Sequence, residues 1–154
     1  NSLPSFKALP HRLELITEKN GVRWYNDSIS TTPESTIAGT EAFENPVILI
    51  AGGYDKKIPF DEMAKVVSQR AKCAVLIGDT AGKIKELIEK NPKNRCRVHL
   101  AESLENACLN AWEEAEAGDN ILLSPACASY DMFESFKQRG EMFTQFAERI
   151  TNDD

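Results

Sequence analysis

GDNILLSPACASYDMFESFKQRG, running from Gly118 to Gly140, is the stretch whose reading decides how the chain is built. Asn120 to Leu123 is a short apolar run of a length suited to a buried strand. Ser124-Pro125 ends it, because proline has no N–H for a sheet ladder and pushes the residue before it out of helical geometry. Ala126, Cys127, Ala128 and Ser129 are small and let a ligand approach the backbone. Asp131 to Lys137 then reads as helical, with Met132, Phe133 and Phe136 on one face. A strand thus runs through a tight turn onto a helix N-terminus, whose free N–H groups and partial positive charge suit an anion. In a parallel sheet such a turn lies at the carboxyl ends of the strands, where ligands bind. An ordinary strand-to-helix connection is the plainer reading, and chemistry alone gives the two equal weight.

Upstream the pattern repeats. Val47 to Ala51 is a continuous β-branched and apolar run, a buried parallel strand, and Gly52-Gly53 follows it. Cys73 to Ile77 is another, turned by Gly78-Asp79-Thr80. Val98 and Leu100 mark a shorter one around His99. Helical faces alternate with these runs. One starts at Pro33 with Thr32 as N-cap, one carries Met63, Ala64 and Val67, one carries Ile84, Leu87 and Ile88, and one starts at Ser103-Leu104. Gly140 separates the helix of the opening stretch from a last amphipathic one bearing Met142, Phe143, Phe146 and Ile150. Thr151 to Asp154 reads as a polar, frayed tail. At the start, Leu13 to Ile16 and Val22 to Tyr25 flank Asn20-Gly21, a β-hairpin signal. The order predicts an α/β domain: a Rossmann-like, mostly parallel sheet flanked by helices, with an N-terminal hairpin forming an antiparallel edge.

Composition bounds the function. One domain of 154 residues, 42% hydrophobic, is large enough for a real core. The net charge of −6 and the lack of a basic block argue against nucleic acid. No apolar run approaches the roughly 20 residues that cross a bilayer, and no signal peptide is visible, so a cytoplasmic protein is expected. Cys73, Cys96, Cys108 and Cys127 form no C-x-x-C pair, and histidine occurs only at His11 and His99. That spacing argues against a zinc site and for buried free thiols. Neither a G-x-G-x-x-G fingerprint nor a Walker P-loop is present.

The chemistry on offer sits at the strand ends: Asp27, Ser28, Thr31, Gly52, Gly53, Lys56, Lys57, Asp79, Thr80, Ser124 and Ser129. Hydroxyls, one or two lysines and a helix start suit a small dianion. No Ser/His/Asp or Cys/His set is in supply, so no catalytic residue is assigned. Each residue also has a plain reading: Lys56 as a solvated lysine, Phe136 as a core aromatic, Asp27 as a turn residue, Arg12 as an exposed strand charge.

Four stretches in register, LPHRLEL, WYNDSISTTPEST, ILIAGGYDKK and LLSPACASYDMFESFKQRGEMF, resemble the C-terminal domain of the Mur ligases that build peptidoglycan precursors. The likeness runs from about Leu9 to Phe146 and is greatest to the D-glutamate-adding members. It implies an amino-acid-binding domain over residues 9–150, preceded by a linker remnant at 1–8, from a three-domain cytoplasmic monomer. It implies an ATP- and Mg2+-dependent amide ligation of D-glutamate to UDP-N-acetylmuramoyl-L-alanine through an acyl phosphate. The P-loop and most of the ATP and Mg2+ contacts would belong to the other domains, and this domain would not turn over alone. By the same resemblance Thr31 contacts D-glutamate and Lys56 pairs with its carboxylate, with Lys57 the adjacent alternative. Ser129, with Tyr130 beside it, binds a substrate carboxylate, and the Phe136 backbone assists. Asp27 takes the ATP ribose and Arg12 faces the nucleotide. One departure stands out: the family pattern NDSKATN is NDSISTT here, so Ile29 occupies the place of a lysine. Ligation of another amino acid, or a stand-alone binding module without catalysis, remain the alternatives.

Overall fold

The computed structural model describes residues 10–153; the expected linker at 1–8 lies outside them. Among the described residues, six strands and five helices alternate after an opening hairpin. They are β1 (Glu14–Lys19), β2 (Val22–Asn26), α1 (Pro33–Glu41), β3 (Val47–Gly52), α2 (Asp61–Arg70), β4 (Ala71–Ile77), α3 (Ala81–Lys90), β5 (Arg97–Leu100), α4 (Leu104–Glu114), β6 (Asn120–Leu123) and α5 (Phe136–Asp153). The sheet order is β1-β2-β6-β3-β4-β5. Only β1 runs antiparallel, as the edge partner of β2. The turn between them has Asn20 at φ 55° and Gly21 at φ 80°, the double positive-φ geometry that a two-residue hairpin needs and that Asn-Gly supplies without strain.

Each parallel strand alternates its side chains between two helical layers. Val47, Leu49 and Ala51 of β3 join Met63, Val67, Ile84 and Ile88 on the face covered by α1, α2 and α3. Ile48 and Ile50 join Leu104, Ala107, Ala111, Phe143 and Ala147 on the face covered by α4 and α5. Trp24, fully buried, stacks between Trp112 and Phe143 on that second face, with ring centroids 6.0 and 5.9 Å away. Burying each large apolar side chain is worth about 1.5–3 kcal/mol, so two continuous layers on one sheet account for a stable three-layer domain.

Chain ends of helices follow local chemistry. Thr32 caps α1 by accepting from Ser35 N, and Pro33 fills the first helical position. Ser103 caps α4 by accepting from Asn106 N. Two expectations change. The residues from Asp131 to Ser135 are not helical: the Ser129 carbonyl accepts from both Met132 N and Phe133 N, closing a turn, and α5 begins only at Phe136. α5 then passes through Gly140 without a break and on through Thr151, which is buried, so the frayed tail expected from Thr151 is ordered helix as far as Asp153. Gly140 is there for room rather than to end a helix. A Cβ on it would lie 2.2 Å from His11 Nδ1.

Candidate functional site

The strand order places β6 between β2 and β3, so the chain reverses direction across the sheet at β6–β3. The loops leaving β2, β6 and β3 therefore lie side by side at the carboxyl ends, the crevice where open α/β sheets bind ligands.

Arg139, one helical turn into α5, ties two of these loops together and is 1% exposed. Its guanidinium donates to Ser28 Oγ at 3.0 Å, to the Ser28 carbonyl at 2.8 Å and to the Cys127 carbonyl at 3.0 Å. Ser28 Oγ donates in turn to the Phe136 carbonyl at 2.7 Å. Burial pulls the Arg139 pKa down to about 10, with the nearby Asp131 carboxylate acting the other way, so it stays charged at neutral pH. Sequence reasoning assigned Arg139 no role. An arginine beside Lys137 and Gln138 looks like a solvated helix charge, and only the tertiary fold buries it.

The third loop joins through glycine. Gly52 (φ 111°) and Gly53 (φ 152°) bring the chain against β4 and the β6 loop, where a Cβ would lie 2.1 Å from the Ile77 carbonyl oxygen or 2.7 Å from that of Ala128. Tyr54 N donates to the Ala128 carbonyl at 3.0 Å, and the Tyr54 and Tyr130 rings meet edge to face at 5.9 Å. Thr80, from the β4 loop, accepts from Gly53 N at 3.0 Å. Asp131 accepts from Asp79 N at 3.1 Å, and its carboxyl is raised chiefly by burial. Ser124, Thr80 and Ser28 are thus scaffold hydroxyls, turned inward and buried.

Two concavities flank the β2–α1 connection. One, of about 290 Å³, is lined by Thr31, Lys56, Ala128, Ser129, Tyr130, Glu134, Ser135 and Phe136. All five residues singled out for the amino acid are in it, drawn from three loops. The N-terminus of α5 borders it at Phe136, and Ser135 Oγ caps the Gln138 N–H at 3.1 Å. Lys56 is exposed at its rim and makes no ion pair among the described residues, whereas Lys57 pairs with Asp55 at 3.5 Å. Asp55 also holds Lys83 at 3.0 Å, and these cations, with the Lys57 N–H, bring its pKa down to about 2. Lys56, the lysine that the resemblance favours, lines the concavity without an ion pair among the described residues, and Lys57, the alternative, does not line it.

The second concavity, about 240 Å³, is lined by Arg12, Leu13, Asp27, Ile29, Ser30, Ser35, Ala38 and Gly39. Both residues singled out for the nucleotide are here, together with Ile29. Asp27 is 3% exposed and accepts from Leu13 N at 3.2 Å, Ser30 Oγ at 2.6 Å and Ser124 Oγ at 2.9 Å. Burial raises its pKa against the pull of those hydrogen bonds. A larger concavity, about 620 Å³, opens near Pro46 and Ala71, at the amino ends of β3 and β4, and holds none of the singled-out residues.

Comparison with known proteins identifies the family and the fold. The Mur ligase, glutamate ligase domain, family matches residues 11–127. A UDP-N-acetylmuramoylalanine–D-glutamate ligase of Thermoanaerobacter sp. (strain X514) is 46% identical over 143 residues, 93% of this chain and 32% of that protein. The enzyme of the same name from Clostridium botulinum (strain 657 / Type Ba4) is 49% identical over 142 residues, 90% of this chain and 31% of that protein. Among solved structures, the UDP-N-acetylmuramate–alanine ligase of Thermotoga maritima superposes with a TM-score of 0.66 at 14% identity, over 97% of this chain and 32% of that one. The chain therefore spans about a third of the length of the curated relatives it matches. With its family match over most of its length, its parallel sheet and its converging loops, the chain belongs to the Mur ligase family as a glutamate ligase domain.

Proposed function

We propose that residues 9–150 form the amino-acid-binding domain of an ATP-dependent ligase that joins D-glutamate to UDP-N-acetylmuramoyl-L-alanine in peptidoglycan precursor synthesis. The observation that carries this reading is the gathering of Thr31, Lys56, Ser129, Tyr130 and Phe136 around one concavity, beside a second one holding Arg12 and Asp27. A volume of about 290 Å³ sits at the small end of ligand pockets and fits a single amino acid.

In this reading Lys56 binds a carboxylate of D-glutamate through a charge-assisted hydrogen bond, and the Thr31 and Ser129 hydroxyls donate to the carboxylate oxygens. The α5 N-terminus adds the partial positive charge of its first turn. The arrangement fixes the amino acid from its anionic ends and leaves the amine free to be aimed at an activated carboxyl group. ATP would supply the phosphoryl group that activates the acceptor carboxyl. On this chain Asp27 and Arg12 would meet the nucleotide. A carboxylate has about four lone-pair sites and Asp27 already uses three, so one remains for a ribose hydroxyl. Ile29 offers no donor to a phosphate, which leaves the exposed Arg12 as the cation of that concavity. The Mg2+ ligands and the UDP pocket belong to the parts of the enzyme beyond this domain.

Phosphate release by the full-length protein tests the reading. With ATP, Mg2+ and UDP-N-acetylmuramoyl-L-alanine, release should require D-glutamate and not occur with L-glutamate, L-lysine or diaminopimelate. Release with another of these amino acids reassigns the concavity, and release with none of them removes the ligase reading. Within an active enzyme, Lys56→Ala should weaken D-glutamate by about 10- to 100-fold, the loss of roughly 1.5–3 kcal/mol from one charged hydrogen bond. Its melting temperature should barely move, and Lys57→Ala should change D-glutamate affinity little. Equal losses in the two variants would remove the assignment of the carboxylate to Lys56.

A further inference from the structure

The face of the sheet under α4 carries a side-chain cluster that the ligase reading does not use. Cys73 of β4 pairs in register with Arg97 of β5, and Val75 pairs with His99. These four side chains share one sheet face, since residues two apart on a strand point the same way. Glu114, the last residue of α4, reaches down onto that face. The Cys73 thiol, the His99 imidazole and the Glu114 carboxylate come within 4.8 Å of one another.

We propose that Cys73, His99 and Glu114 form a three-ligand site for a zinc-class divalent cation, with a fourth position open to water. Tetrahedral zinc with bonds of about 2.0–2.3 Å sets its ligand atoms roughly 3.3–3.7 Å apart. His99 Nε2 and Glu114 Oε2 already stand 3.4 Å apart. Only the sulfur has to close in, by no more than about 1.5 Å. Thiolate, imidazole and carboxylate are a donor set that favours zinc over magnesium or calcium. His99 Nε2 is enclosed by protein, and its 3.4 Å contact with Glu114 Oε2 does not have hydrogen-bond geometry, so a metal between the two would satisfy both. Arg97 pairs with the other oxygen of the same carboxylate, Glu114 Oε1, and so holds Glu114 with Oε2 towards the histidine, as outer partners orient metal-bound carboxylates. The His99 side chain is 41% exposed and that of Glu114 21%, which leaves a way in from solvent. Thiolate and carboxylate neutralise the dication, and binding displaces the thiol proton to solvent. Spacing along the chain argues against zinc because it reads only neighbours in sequence. Here β4, β5 and α4 bring the ligands together across the fold.

Full-length protein, stripped with a chelator and then titrated with Co2+ alone, tests the site. A near-ultraviolet thiolate-to-cobalt charge-transfer band should appear at one equivalent and be displaced by Zn2+. Cys73→Ser, which keeps the side-chain shape, should abolish it. His99→Ala, at a part-exposed position that tolerates truncation, should weaken Co2+ by more than about 100-fold, and Arg97→Gln by about 10-fold as an outer partner. Zn2+ should raise the melting temperature of the wild type and leave that of Cys73→Ser unmoved. Absence of the band in the wild type, its survival in Cys73→Ser, or unchanged affinity in His99→Ala would each overturn the proposal and leave an ion pair over a core cysteine. Ligase activity is not the readout, so the outcome is independent of the proposed function.

Discussion

Arg139→Ala is expected to destabilise the domain by about 3–5 kcal/mol, because three enclosed acceptors lose their donor at roughly 1–3 kcal/mol each and a cavity is left, partly offset by no longer burying a charge. For a domain of this size that is a fall in melting temperature of roughly 10 °C. The damage should be uneven. Ser28 anchors the loop that carries Thr31, and Cys127 anchors the loop that carries Ser129, so both walls of the concavity proposed for the amino acid lose their common tie. On the proposed function, D-glutamate should therefore weaken even at temperatures where the variant is folded. Lysine is a poor replacement: it has one charged nitrogen where the guanidinium reaches two loops with three. Thermal melts and D-glutamate titration of wild type, Arg139→Ala and Arg139→Lys check this. An alanine variant melting within a couple of degrees of wild type, with unchanged affinity, would mean the clamp is dispensable.

Gly52→Ala should be worse. The new methyl group would sit 2.1 Å from the Ile77 carbonyl oxygen, a backbone atom of the adjoining strand that no side-chain rotation can move. Its φ of 111° is also a region closed to alanine. Relief requires β3 and β4 to part at the crevice, so a loss above about 4 kcal/mol is expected, the range of severe single-site damage. Gly82→Ala is the matched control. It lies inside α3 with nothing within 4 Å of the added carbon, and there alanine should stabilise by about 0.5–1 kcal/mol. Yield of folded protein and melting temperature read both. If Gly52→Ala folds as well as Gly82→Ala, the close approach of β3 to β4 is not a constraint.

Much of this architecture is legible in the chain. Asn20-Gly21 specifies the hairpin because few residues accept two successive positive φ values. The apolar runs at Val47 and Asn120 specify buried strands because both their faces are covered. Thr32 and Ser103 announce helix starts through their hydroxyls. What the sequence conceals depends on contacts across the fold. The start of α5 is one such case. Asp131 to Ser135 have acceptable helical residues, but the Asp131 carboxylate is taken by Asp79 N and the Ser129 carbonyl by two amides, and that turn outcompetes the helix. Gly140 is another, since its meaning comes from His11, far away in sequence. Of the candidate site, motif resemblance singles out residues that the fold gathers around two concavities. Arg139 is not among them, because burial of an arginine is a property of what surrounds it. Nor does the sequence show that Lys57 pairs with Asp55 while Lys56 makes no ion pair among the described residues.

The burial of all four cysteines has a practical corollary. Cys73, Cys96, Cys108 and Cys127 are at most 5% exposed, and desolvation pushes the thiols of Cys73 and Cys96 up to about 12 and that of Cys127 up to about 11. An alkylating reagent can then react only during an opening fluctuation, at the intrinsic rate multiplied by the fraction of time the thiol is released. The domain carries its own set of opening reporters, each on a different piece: β4, the approach to β5, α4 and the loop after β6. Cys127 reads the crevice directly. A ligand that binds only the closed loops should slow its alkylation by the factor one plus ligand concentration over Kd, while Cys108 in the opposite layer follows global unfolding. Mass-resolved labelling of this kind would turn occupancy of the crevice into a time constant at a single sulfur.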